Sequence, residues 1–266
     1  MKSEKTALGL IEEAIQLLRA APISVYALYT AGTVPFLLAF FNFCSEMSYS
    51  RDAAGKSTAS AFTVTVAYLW MKGLQAFCCR ELVNVYTGNI TQWWKPRLLL
   101  SIWSRQIALQ PLGLILKPLA WLLVIPGAYI ATFFQNFTIL GGTDSNDLRH
   151  SWDLARLWPK QSFAVFSLLS LLGLVLLVDL YASIVAIPVA FKIFLSIESI
   201  LTRNFLWIFS SVLFFTLSAV AYFLTDIVVK AIEVVRCCDG EAQATGEDLL
   251  RRLHELKRPK GVVRGP

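Results

Sequence analysis

The sequence predicts an all-α, polytopic integral membrane protein with about six transmembrane helices and amphipathic interfacial helices. Three observations predict it. Residues 162–190 carry a single charge, Asp179, and this run is longer than the roughly 20 apolar residues that cross a bilayer's hydrocarbon core. Hydrophobic residues make up 56% of the chain and charged residues 16%, against roughly 45–50% and 25% in soluble domains. The excess must face something other than water. Similar apolar runs recur from Val25 onward.

Residues 6–20 read as an amphipathic helix, with Leu8, Ile11, Ile15 and Leu18 at helical spacing and Glu12, Glu13, Gln16 and Arg19 off that stripe. These charges leave no apolar h-region, so no cleavable signal peptide is expected. Pro22 turns the chain into a first span at 24–43, which tolerates Pro35. A polar loop at 44–58 leads to a second span at 59–79. Its one charge, Lys72, is expected to snorkel to the interface. Residues 80–97 are polar, with Trp93 and Trp94 suited to the headgroup level.

Residues 98–137 admit two readings, because Arg105, Pro111, Lys117, Pro118 and Pro126 interrupt them. They form either a hairpin of spans at 98–116 and 119–137, or an interfacial helix followed by one span. Basic residues favour the hairpin. With six spans and the N-terminus inside, 17 lysines and arginines fall on the inner side and 5 on the outer. One span fewer reverses the balance to 10 against 13. The positive-inside rule therefore predicts six spans with both termini cytoplasmic. A re-entrant hairpin gives the same parity.

A turn-rich loop at 141–147 precedes a second amphipathic helix at 147–158, which Pro159 is expected to end. The fifth span follows at 162–190, then an amphipathic connection at 191–204 and a sixth span at 205–229. Residues 1–232 thus form the membrane domain and 233–266 a basic cytoplasmic tail. In the tail, the run from Thr245 to Asp248 reads as a capping box. It opens a short helix whose Leu249, Leu253 and Leu256 line a face for partner docking or the membrane surface.

The run Ser151-Trp-Asp-Leu-Ala-Arg-Leu-Trp158, followed by a long apolar span, resembles the helix before a span in bacterial membrane domains of the glycerophosphodiester phosphodiesterase membrane-domain group. Over most of its length the chain resembles uncharacterised bacterial membrane proteins. The matching residues are Gln110-Pro-Leu-Gly113, Phe133-Phe-Gln-Asn136, Ile197-Glu-Ser199, Thr202-Arg203, Lys230-Ala231, Arg236-Cys237, Gly240-Glu241 and Thr245-Gly-Glu-Asp248. No stretch here is expected to hold that group's catalytic barrel. The resemblance therefore implies a membrane scaffold in the bacterial inner membrane and no activity.

Charges inside spans are functional candidates. Arg105 and Asp179 are taken as the intramembrane charges, with no other acid read as deep in a span. Each costs about 2.5–3.5 kcal/mol if left alone, so a shared buried site for the two is expected. Ala182, Ala186 and Ala190 repeat at the spacing that lets helices approach closely, within the chain or in a homo-oligomer. His150 and His254 lack metal-ligand spacing and read as solvated, and no HExxH, phosphate loop or GxSxG occurs. The pairs Cys78-Cys79 and Cys237-Cys238 lack the CxxC spacing of zinc sites. No cofactor, metal or catalysis is expected. The net charge of +6 flanks apolar runs and fills the tail, which argues against nucleic acid. Expected partners are the lipid bilayer and other membrane or cytoplasmic proteins. Two functions follow: a non-enzymatic scaffold, or a small transporter using Arg105 and Asp179.

Overall fold

The computed structural model describes residues 5–88, 96–122, 125–141, 146–196 and 210–246. Among these the protein is all-helical. The helices are α1 (Ala7–Ala20), α2 (Ile23–Tyr49), α3 (Ala53–Thr87), α4 (Pro96–Leu122), α5 (Ile125–Leu140), α6 (Asp147–Arg156), α7 (Pro159–Leu195) and α8 (Ser211–Thr245). A short helix followed by a long one opens the chain and recurs just past its middle.

Four helical segments are long and apolar enough to cross a membrane: Ile23–Tyr49, Arg97–Ala120, Pro159–Phe194 and Ser211–Thr245. The other two expected spans differ for separate reasons. α3 is long but polar, and Lys72 and Gln75 are buried on it. Packed by α2, α4, α5 and α8, it does not need an apolar surface all round. α5 is apolar but has 16 residues, or about 24 Å at the helical rise. That is less than the ~30 Å of a hydrocarbon core.

Element boundaries also moved. The loop expected at 44–58 is occupied mostly by helix, and only Ser50–Asp52 separates α2 from α3. Gly32 lets these helices close, since a Cβ there would meet Met71 backbone atoms at 3.3 Å. Pro159 begins α7 instead of merely ending α6. This fits proline's preference for the first helical position, where its missing N–H loses nothing. α8 runs unbroken through position 232, the expected domain boundary, to Thr245. Thr245 therefore ends a helix, with Gly246 at φ 73° as its left-handed cap.

One end of the bundle is held by polar contacts. Thr6 caps α1 by accepting from the Gly9 N–H. Lys5 lies 2.6 Å from both Glu13 and Asp239, tying the chain before α1 to α8. Gln161 of α7 donates to the Lys5 carbonyl at 2.7 Å. Asn136 of α5 donates to the Ser151 carbonyl of α6 at 3.3 Å. Arg80 of α3 donates to the Leu140 carbonyl at 3.3 Å, satisfying the C-terminus of α5. On α1 the buried residues are Leu10, Ala14 and Leu17, while Leu8 and Ile15 are exposed. The inward face is thus rotated from the stripe read in the sequence.

Candidate functional site

The centre of the bundle is charged. Asp226 and Lys230 sit one turn apart on α8, a spacing that puts both on one face. Lys230 Nζ lies 3.4 Å from Asp226 Oδ2, with side-chain exposures of 0% and 1%. Two other helices converge on the same carboxylate oxygen. Tyr29 of α2 donates to Asp226 Oδ2 at 3.1 Å and to the Phe223 carbonyl at 2.8 Å. Gln75 Nε2 of α3 donates to Oδ2 at 3.3 Å. On the far side, Lys230 donates to Gln135 Oε1 of α5 at 3.1 Å. Asp226 Oδ1 has no hydrogen-bond partner among the described residues.

Lysines outnumber carboxylates here. Lys72 and Lys117 lie within electrostatic reach of Asp226 and Lys230, so three lysines surround one carboxylate. Lys72 is buried, donates to Gln75 Oε1 at 2.9 Å and stands 5.6 Å over the Tyr68 ring. It therefore does not snorkel, because the amide and the ring take up its ammonium inside the bundle. Lys117 of α4 lies 5.1 Å over the Phe134 ring. Glu233, the next buried acid along α8, is committed to Arg236 through two bonds of 2.9 and 3.0 Å. Arg236 also donates to Ser162 of α7 at 2.7 Å.

A cavity of about 470 Å³ opens beside the charges, between the end of α4, α5, α7 and α8. Its polar wall is Lys117, Gln135, Ser170, Ser218, Tyr222 and Asp226. Most of the remaining wall is apolar, including Phe166, Leu169 and Leu177. Ser170, Leu174 and Tyr222 are exposed, so the cavity is open at its edge. Pockets of roughly 300–1,000 Å³ with a few convergent polar groups are typical ligand sites. Chemically, this one can bind and orient an anion.

The expected site residues are placed differently. Arg105 is half-buried on α4 and Asp179 is exposed on α7. No hydrogen bond or ion pair joins them among the described residues. The chief neighbours of α4 are α3 and α5, not α7. Asp179 also lies about 30 Å along α7 from Pro159, a full hydrocarbon thickness. Ala182 and Ala186 are exposed and Ala190 half-buried, so this face is not packed inside the chain. Leu249, Leu253, Leu256 and His254 lie outside the described residues. His150 is 3.6 Å from Glu241. Cys78, Cys79 and Cys237 are buried, Cys44 and Cys238 half-buried.

Asp226 was missed although it falls inside the expected sixth span, and Lys230 fell just past that span's end. The available signal was charge spacing: Asp226 with Lys230 at i,i+4 and Glu233 with Arg236 at i,i+3, set within an apolar run. Several residues of the resemblance motifs, namely Gln110, Gln135, Asn136, Lys230 and Arg236, are buried polar groups of the bundle. No family model, curated protein or solved structure matches the chain.

Proposed function

We propose that this is a non-enzymatic, multi-pass protein of the bacterial inner membrane that binds an anionic ligand within the bundle and carries it across: a small transporter. Both termini face the cytoplasm. α3 completes the crossings as a shielded helix, and α4 with α5 returns the chain to the side from which α4 starts. One observation carries the reading: three lysines meet one carboxylate beside an open cavity, deep in a chain of membrane-capable helices. Ionisable groups in such places line binding sites or pathways by default, and transporters hold their ligands near the bilayer midplane. The scaffold role rests on the amphipathic helices and the basic tail, and the tail leucines lie outside the described residues, so it has less support.

The test is uptake into proteoliposomes holding the purified full chain. A panel of radiolabelled anions, soluble carboxylates and phosphates together with anionic lipids, should contain at least one that crosses faster than in protein-free vesicles. Lys117→Gln should abolish that uptake. Equal entry with and without protein for every anion contradicts transport.

A further inference from the structure

We infer that the ligand is an anionic amphiphile entering from the lipid: a glycerophospholipid whose headgroup joins one phosphate charge to free hydroxyls. This inference rests on the proposed anion site and narrows its ligand. Three features of the cavity select it. Lys117 stands on the wall with a ring as its charge partner, and a phosphate oxygen is a stronger partner for an ammonium. Asp226 lines the cavity and is 2% exposed, and its Oδ1 is buried without a hydrogen-bond partner among the described residues. A carboxylate oxygen beside an anion requires a donor, which a plain fatty acid or a bare phosphate diester lacks and a hydroxylated headgroup supplies. Ser218 also lines the cavity, and its Oγ, buried and likewise unpartnered among the described residues, gives the headgroup a second contact once a ligand reaches it.

The apolar part of the ligand follows from α7. Leu171, Leu174, Val175 and Val178 are all exposed, and they continue from the cavity edge along one helix. Acyl chains lying on this surface remain in the bilayer while the headgroup turns inward. Such a ligand needs no aqueous path to reach the lysine cluster. The open edge at Ser170 and Leu174 is its point of entry.

Native mass spectrometry of the detergent-purified full chain tests the assignment with defined probes. These are phosphatidylglycerol, phosphatidylcholine, phosphatidylmethanol (the charge without hydroxyls) and glycerol phosphate (the headgroup without chains). One phosphatidylglycerol should be retained per chain, at least about tenfold better than phosphatidylcholine and several-fold better than phosphatidylmethanol. Lys117→Gln should reduce phosphatidylglycerol to the phosphatidylcholine level. Ser218→Ala, which removes a single oxygen and spares the ion pair, should reduce it to the phosphatidylmethanol level. Equal retention of phosphatidylcholine and phosphatidylglycerol, or a preference unchanged in both variants, overturns the inference. Glycerol phosphate binding as tightly as the lipid also overturns it and leaves the anion-binding function standing. If none of the anions binds, both fall.

Discussion

Asp226 and Lys230 form an ion pair one helical turn apart, 3.4 Å between Oδ2 and Nζ, with almost no exposure of either side chain. The carboxylate is held on one oxygen by Tyr29 and Gln75, while the other is buried without a hydrogen-bond partner among the described residues, on a residue that lines the cavity. A static core would bond both. This asymmetry makes the pair a site as well as a strut.

Breaking the pair should cost more than removing it. A lone buried charge keeps its desolvation penalty, about 3–5 kcal/mol on truncation of one partner. Asp226→Asn and Lys230→Met should each lower the thermal midpoint in detergent, and the double variant should recover part of the loss. Additive losses would mean that the two side chains do not depend on each other.

A second buried pair locks α7 to α8. Arg236 holds Glu233 with two bonds and reaches Ser162 with a third. Glu233→Gln should therefore destabilise strongly, by about 3–5 kcal/mol. Ser162→Ala should cost about 1 kcal/mol. Chemical unfolding of both variants checks the ranking.

Two glycines should respond in opposite ways to alanine. A Cβ on Gly73 would lie 2.2 Å from the Trp103 ring, whereas one on Gly173 would sit 3.7 Å from Thr225 Cγ2. Gly73→Ala should cost about 1–3 kcal/mol by overpacking α3 on α4. Gly173→Ala should leave the stability within about 0.5 kcal/mol of wild type.

Lys5 supplies a pH test outside the membrane. Burial opposes its charge, but the contacts with Asp239 and Glu13 outweigh it, so its pKa is raised. The stabilisation is then complete below the unfolded-chain value of about 10.4 and is lost as pH rises through the folded value. Because Lys5 is partly exposed, Lys5→Met should cost only about 0.2–1 kcal/mol. That difference should persist at about pH 8 and vanish once the pH has passed the raised folded value. A difference that grows with pH contradicts the tie.

The class of fold was legible because membrane burial writes itself as long apolar runs, and 162–190 lies within α7. The site was less legible for a physical reason. Hydropathy finds helices that face lipid, so it misplaced the buried Lys72 and left Lys230 just past the end of the sixth span. Once neighbours shield a helix, its polar residues turn inward, as Gln75, Gln135 and Asp226 do. Arg105 and Asp179 stood out because their surroundings are apolar in sequence. Which charges meet depends on helix neighbours, and α4 packs on α3 and α5. Only the spacing along α8 carried the pairs locally.

The most direct test of the account asks whether the cavity attracts anions. Ser170→Cys, placed in a cysteine-free variant, puts a thiol at its exposed edge, where negatively and positively charged methanethiosulfonates can compete. Three lysines around one carboxylate should make the anionic reagent react at least about tenfold faster, after correction for intrinsic reactivity. Lys117→Gln should erase most of that preference. Equal rates, or a faster cationic reagent, would contradict an anion site at the centre of this protein.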